Sequence, residues 1–285
     1  MTRICFQIIV FNGDHVLEPC LKSILPFGKV VVTEGPVGYF AKQGISTSQD
    51  STNKILHDFQ EAGADISVVH GSFSEKDEMM NAGIHLIPKD TTHVWMVDAD
   101  EIWEPDSIRR TISHLDYFDS VSFKPITFFG GFDRALGGFE RRFEWVRIQR
   151  WYDRARWATH RPPTIFAPNG IPWKDGGRCL ESGEEFAHYS YIFPKAVKSK
   201  SGYYASRGGN IENWFGRVWL PWVLGDDTKK QEIENEFNGV HEWLPQNRGD
   251  AFTYPFVGQH PKEIQRILPQ LKERFNRELP EILNG

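Results

Sequence analysis

The 285-residue sequence predicts an α/β protein built on a doubly wound, mostly parallel sheet. Three observations predict it. Apolar runs of strand length alternate with segments of helical periodicity over roughly the first hundred residues. Strand, helix and strand recur at the spacing of a parallel crossover unit. One run, Val94-Trp95-Met96-Val97, ends in Asp98-Ala99-Asp100-Glu101, which puts acids at the C-terminal end of a strand, where open α/β sheets bind ligands.

Residues 4–11 are apolar and end at Asn12-Gly13-Asp14, a turn signal. Val16, Leu17, Cys20, Leu21, Ile24 and Leu25 then recur at helical spacing until Pro26-Phe27-Gly28. Residues 29–33 carry three consecutive valines and read as a second buried strand closing on Glu34-Gly35-Pro36. Residues 36–50 read as a long loop, a length that in compact domains often serves function. Asp50-Ser51-Thr52 supplies capping chemistry for a helix running through Ile55, Leu56 and Phe59 to Gly63. A strand over 66–70 and a helix over 75–87 follow; on that helix Asp77 and Asn81 share a face, as do Lys76 and Met80. After the central strand, Pro105, Asp106 and Ser107 open another helix.

Side chains on a strand alternate, so Asp98 and Asp100 are expected on one side, roughly 6 to 7 Å apart at their Cα atoms. Two acids so placed repel unless a cation lies between them. A hard divalent metal that takes one or two carboxylates and completes its shell with phosphates and water suits that arrangement. The competing reading is an acid-rich surface turn.

Composition excludes several partners. A net charge of -5 gives no general attraction to nucleic acid or anionic membranes. No run approaches the ~18 apolar residues of a membrane span, and the N-terminus leads directly into a strand-like segment, so the chain reads as soluble and unprocessed. The three cysteines are widely spaced and lack Cys-x-x-Cys, which predicts reduced thiols and a cytoplasmic setting. Neither Gly-x-Gly-x-x-Gly nor a Walker-type Gly-Lys-Ser/Thr is present, which disfavours a dinucleotide oxidoreductase or P-loop enzyme. Aromatic residues make up 14% of the chain, with 10 Trp, an excess useful in cores and for stacking on sugars or bases alike.

After Leu115 the pattern changes to short strands over 121–124, 127–129 and 147–152, with Gly-rich turns at Gly130-Gly131 and Gly137-Gly138. Eight arginines between Arg134 and Arg161 interleave with Trp145, Trp151 and Trp157. They read either as a solvated antiparallel hairpin or as a positive wall for a phosphorylated ligand. Residues 160–178 read as loop, 184–192 as a strand carrying His188, and the remainder as helix-rich, around 196–204, 231–237 and 263–277. By itself a histidine in a strand is most often a packed core residue.

The ordered set Phe11-Asn12-Gly13-Asp14, Cys20-Leu21-Lys22-Ser23-Ile24, Val30-Val31-Val32-Thr33-Glu34-Gly35, Lys76, Asn81 and Gly83, and Val97-Asp98-Ala99-Asp100-Glu101 resembles the family 2 glycosyltransferases and their relatives, which share the GT-A fold. The likeness covers the first 115 positions, and Phe186-Ala187-His188-Tyr189-Ser190 with Lys195 and Lys200 extends it. It implies a GT-A architecture: a mostly parallel twisted sheet flanked by helices, a small antiparallel portion and a helical C-terminal extension. Residues 1–115 would form the donor-binding half, 116–205 the acceptor-binding and catalytic half, and 206–285 the extension. The implied activity is metal-dependent, inverting transfer of a sugar from a UDP-, GDP- or dTDP-sugar to a hydroxyl of a glycan, lipid or glycoconjugate. The implied metal is Mn2+ or Mg2+ on Asp98, Asp100 and His188, and Asn12, Glu34, Lys76, Asn81 and Asp98 are implied at the donor. Glu34 also has a plain reading as a turn residue.

The chain departs from the family in places. Glu34 stands where Asp is usual and Gly13 where Glu is common; in Trp157-Ala158-Thr159-His160-Arg161 an arginine takes the place of the glutamate that several relatives carry after histidine. The general base therefore has to come from elsewhere on the acceptor side, between the metal motif and the strand of His188. Asp175, beside Trp173, is the first candidate and Glu181 the second, with Glu184, Glu185 and His160 behind them; Asp175 before Gly176-Gly177 is equally a turn residue. Other readings are a nucleotidyltransferase, although residues 11–14 lack a Gly-rich triphosphate loop, a phosphatase, although its Asp-x-Asp belongs on the first strand, and a non-catalytic glycan-binding protein using tryptophan stacking.

Overall fold

A computed structural model describes residues 2–166, 170, 177–248 and 250–284. Its elements in chain order are β1 (Ile4–Val10), α1 (Leu17–Ile24), β2 (Lys29–Glu34), α2 (Gly38–Ala41), α3 (Thr52–Glu61), β3 (Ile66–His70), α4 (Lys76–Ala82), β4 (His93–Asp98), β5 (Glu101–Ile102) and α5 (Pro105–His114). There follow β6 (Ser120–Phe129), β7 (Arg134–Leu136), α6 (Phe139–Arg142), β8 (Trp145–Arg150), β9 (Arg156–Thr159), β10 (Thr164–Phe166) and β11 (Cys179–Tyr191). The chain closes with α7 (Pro194–Ala205), a π-helical stretch (Phe215–Trp219), α8 (Leu220–Leu224), α9 (Asp227–Glu236), α10 (Pro245–Arg248), β12 (Thr253–Pro255), α11 (Lys262–Gln265) and α12 (Leu268–Asn284). Two compact units are formed, one from Met1–Lys124 with Glu144–Phe186, the other from Pro125–Phe143 with Ala187–Gly285.

In the first unit β3, β2, β1 and β4 are parallel neighbours in that order, and β8 and then β6 continue the sheet antiparallel beyond β4. The buried valines Val30, Val31 and Val32 explain why β2 lies inside, since a parallel strand is covered on both faces. One buried polar residue is Gln7 on central β1: it donates to the Met80 carbonyl and accepts from Trp157 Nε1 at 2.6 Å, so its amide is satisfied where no water reaches it. The expected α/β architecture, a mostly parallel sheet flanked by helices with an antiparallel portion and a helical C-terminal part, is the one observed.

Several boundaries differ from the sequence expectation. The 36–50 loop contains one helical turn, α2. The helix expected over 75–87 ends at Ala82, and a 3-10 turn follows over Ile84–Leu86. At Gly83 between them a Cβ would lie 2.8 Å from Thr33 Oγ1 and 3.0 Å from Val31 Cγ1, so glycine permits the close approach to β2. The strands expected at 121–124 and 127–129 are one strand, β6. Part of the 160–178 loop is β10, paired antiparallel with β9, and β11 begins at Cys179 rather than Glu184.

Most of the tryptophan excess is core. In the first unit Trp95 stacks on Phe123 at 5.2 Å, Trp103 on Phe186 at 4.7 Å, and the two indoles meet edge to face at 4.8 Å. In the second unit Trp214, Trp219 and Trp222 pack with Phe129, Tyr191 and Val240. There Trp214 Nε1 donates to the Val240 carbonyl at 3.1 Å, Trp219 Nε1 to the Tyr191 carbonyl at 3.0 Å and Trp222 Nε1 to Glu234 Oε1 at 3.0 Å. Among the described residues no helix is long and apolar enough to cross a membrane.

The three cysteines are free: Cys5 and Cys20 are buried and Cys179 is exposed. Burial pushes the Cys5 thiol up to about 12 and holds Cys20 well above its ordinary value. Iodoacetamide at pH 8 is therefore expected to modify one cysteine per chain in the native protein, Cys179, and all three in urea, as read by mass spectrometry. At the end of β2, Gly35 has φ +145° and a Cβ there would fall 1.8 Å from the Gly71 carbonyl oxygen. Gly35→Ala should cost at least about 1–3 kcal/mol from backbone strain alone, measured as a lower urea midpoint.

Candidate donor and metal site

The parallel strands bring their C-terminal ends, at Val10, Glu34, His70 and Asp98, to one edge of the first unit's sheet. β4 ends at Asp98; Ala99 and Asp100 make a turn before Glu101 starts β5. Strand alternation therefore does not extend to Asp100, and the expected strand geometry relating Asp98 to Asp100 is replaced by a turn. The deeply buried carboxylate is Glu101, at 0% exposure, while Asp100 is half-buried.

Arg147, from the neighbouring β8, ties these acids together. Its Nε donates to Glu101 Oε1 at 2.9 Å and Oε2 at 3.2 Å, and its Nη2 donates to Glu101 Oε1 and, at 3.4 Å, to Asp98 Oδ2. The guanidinium is buried, 4.8 Å from the Trp145 ring centroid and 5.4 Å from that of Phe186, where cation–π attraction replaces part of its lost hydration. Burial pushes the Glu101 carboxyl up to about 7, against the opposing pull of Arg147. A second guanidinium, that of Arg161 on the turn between β9 and β10, pairs through Nη2 with the same Asp98 Oδ2 and lies 5.6 Å from the Trp145 ring. His160 Nε2 stands 4.0 Å from Asp98 Oδ1. The Asp98 side chain keeps 16% of its surface exposed and that of Arg161 keeps 37%.

The turn after β1 is held by side chains of the 47–52 segment. Asn12, at φ +53°, accepts from Gln49 N at 2.7 Å through Oδ1, and its own N–H donates to Ser48 Oγ at 2.8 Å. Gly13 N donates to Thr52 Oγ1 at 2.8 Å. Glu34 is buried, with Oε1 accepting from Ser48 N at 2.8 Å, Oε2 from Thr47 Oγ1 at 3.2 Å, and His70 Nδ1 3.0 Å from Oε2. Its carboxylate thus clamps the long loop to the ends of β2 and β3. Lys76 opens α4. Asn81 braces β9: Oδ1 accepts from Trp157 N at 2.9 Å, while Nδ2 donates to the Trp157 and Asp77 carbonyls, each at 2.9 Å. Both donor hydrogens of that amide are engaged within the protein.

Asp175, like Trp173, lies outside the described residues. Glu181 is exposed on β11 and Glu185 likewise, whereas Glu184 accepts from Arg110 Nε at 2.6 Å and Nη2 at 2.7 Å, a hydrogen bond that lowers its pKa. His188 belongs to the second unit, buried, with Nδ1 3.1 Å from Thr127 Oγ1. Of the eight arginines expected as either a wall or a solvated hairpin, Arg147 and Arg161 reach Asp98. Arg150 pairs with Asp119, and Arg142 pairs with Asp250 in the second unit. The roles of Glu101, Arg147 and Arg161 were not foreseen. The available signal was Arg147 between Val146 and Ile148, since a charge inside an apolar strand has to be paired.

The donor chemistry fits a hard divalent cation. Asp98 offers a partly exposed carboxylate at the strand end, and the acids of the turn outnumber the two guanidinium groups: Asp98, Asp100 and Glu101 against Arg147 and Arg161 leave one negative charge when all are ionised.

No family model matches the chain, and no curated protein matches it. Among solved structures it is similar to S. aureus TarS 1-349, at 13% identity over 98% of this chain and 82% of that one, with a TM-score of 0.43. It is also similar to TarS 1-349 in complex with UDP-GlcNAc, at 11% identity over 83% and 72% of the two chains (TM-score 0.43). A third is 4-diphosphocytidyl-2C-methyl-D-erythritol synthase from Anaerococcus prevotii, at 14% identity over 43% and 56% (TM-score 0.33).

Removing Arg147 leaves a buried carboxylate without its counter-charge. Arg147→Met should cost about 3–5 kcal/mol in urea unfolding. The loss should be smaller at pH 5 than at pH 8, because Glu101, already raised, rises further and takes up a proton at the lower pH.

Proposed function

We propose that the chain is a glycosyltransferase that binds a nucleotide diphosphate sugar at the C-terminal edge of its parallel strands and passes the sugar to a hydroxyl acceptor with inversion. The observation that carries this reading is Asp98: a partly exposed carboxylate at the end of a central parallel strand, with two guanidinium groups converging on it. A site that combines acids and cations in this way suits a metal-bound diphosphate, whose own charge is negative. The metal, Mn2+ or Mg2+, supplies charge neutralisation at the phosphates as the nucleoside diphosphate departs. Asp98 and Asp100 are its proposed ligands in the first unit. His188 is proposed as the third, on the family resemblance.

Residues 1–115 are proposed as the donor-binding half, 116–205 as the acceptor and catalytic half and 206–285 as a helical extension. Asn12 and Glu34 support the donor by fixing the turn after β1 and the loop over 47–52, and Lys76 is proposed to meet the donor itself. Asn81 acts through its brace on Trp157. Asp175, with Glu181 second, is proposed to accept the proton of the attacking hydroxyl. The glycan-binding alternative loses much of its support, because six of the tryptophans it needs, Trp95, Trp103, Trp157, Trp214, Trp219 and Trp222, are fully buried.

The test is release of nucleoside diphosphate from a panel of UDP-, GDP- and dTDP-sugars, with and without Mn2+. One donor should be turned over only with metal, and Asp98→Asn and Asp100→Ala should each lower that rate by at least about a hundredfold with the unfolding midpoint kept. Turnover by both variants at the wild-type rate would remove the metal assignment. Asp175→Asn should lower transfer by roughly two to four orders of magnitude with donor binding unchanged; full activity would pass the role to Glu181.

A further inference from the structure

Resting on the donor-site reading above, we propose that Arg161 is a built-in, displaceable counter-ion: it occupies Asp98 in competition with the divalent cation, and when the cation takes Asp98 the guanidinium is handed over to the donor's diphosphate.

Two observations converge on this. The two arginines at Asp98 are not equivalent. Arg147 is 1% exposed, sits on a strand and is fixed by a bidentate contact to Glu101, so it has nowhere to move; Arg161 is 37% exposed and sits on the turn between two short strands, β9 and β10. Both guanidinium groups crowd one carboxylate oxygen, Oδ2, while Oδ1 faces His160. A cation arriving at Asp98 therefore meets one movable positive charge within contact distance, and like charges that close repel strongly in a partly buried site.

Charge balance decides which way the arginine goes. Beside the Arg147–Glu101 pair, Asp98 and Asp100 carry two negative charges and Arg161 one positive, a sum of minus one. Adding a divalent cation makes the cluster plus one if Arg161 stays and neutral if it leaves. A diphosphate brings new negative charge beside the cation, and a planar guanidinium with several donors is suited to phosphate oxygens. Trp145, 5.6 Å from the Arg161 guanidinium carbon, gives the displaced side chain an aromatic face along which to shift without losing that contact.

The test measures binding, with no turnover needed. Mn2+ alone is titrated into wild type, Arg161→Gln and Arg161→Lys and followed by electron paramagnetic resonance; UDP is then titrated calorimetrically in saturating Mn2+. Arg161→Gln is expected to bind Mn2+ about tenfold more tightly and UDP about tenfold more weakly, with Arg161→Lys between it and wild type in both. Opposite shifts are the signature, since a merely structural arginine would weaken both on loss. Equal Mn2+ affinity in wild type and Arg161→Gln, or parallel weakening of both ligands, overturns the counter-ion role while leaving the donor site standing. Absence of Mn2+ and UDP binding in wild type overturns the donor reading together with this inference.

Discussion

A guanidinium buried against a buried carboxylate sets the geometry at the end of β4. Arg147 and Glu101 are both essentially inaccessible, and two such charges are tolerable together only because the contact is bidentate and flanked by aromatic faces. The pair joins residues 46 apart in sequence and pins the short β5 to β8. β8 is in turn registered against β4 through His93–Arg150, Val94–Gln149 and Trp95–Ile148, so Arg147 is the next residue along as β4 approaches its end. Asp98 inherits its position from this frame. Its contact with Arg147 is the longer, weaker limb of a network whose strong limb is structural.

Around that network the polar groups divide by what they touch. Glu34 and Asn81 both lie where the donor was expected, yet each is spent on the protein: Glu34 on Thr47, Ser48 and His70, Asn81 on the Trp157 backbone. They shape the site by holding a loop and a hairpin strand. Gln7 does the same from beneath, joining Met80 to the Trp157 indole across buried β1. The result is that Gln7, Glu34 and Asn81 are engaged within the protein, while Asp98 and Arg161 stay partly exposed.

Buried charge recurs in the second unit in a different form. His241 stands between two buried glutamates, with Nε2 3.1 Å from Glu140 Oε1 and Nδ1 3.2 Å from Glu242 Oε2, and the Tyr191 hydroxyl donates to Glu242. Together with the tryptophan N–H bonds this gives that core directional contacts in addition to apolar burial. Its aromatic content therefore reflects packing and hydrogen bonding, which accounts for a composition that by itself pointed equally to sugar stacking.

Local pattern was legible in the amino-acid sequence alone. The valine run of β2, the apolar run of β1 and the acids closing β4 follow from periodicity and from turn residues, because a buried parallel strand must be apolar throughout and must end where polar groups begin. Which distant groups meet became visible only in the folded chain. Arg147 looked like any of eight arginines until β8 was laid beside β4; Asn81 looked like a ligand residue until Trp157, 76 residues away, came to meet it; Asp100 looked like the strand neighbour of Asp98 until the turn at 99–100 ended the alternation. For Arg147 and Asn81 the deciding quantity is the desolvation of a polar group and the partner that offsets it, and neither exists until the chain has folded.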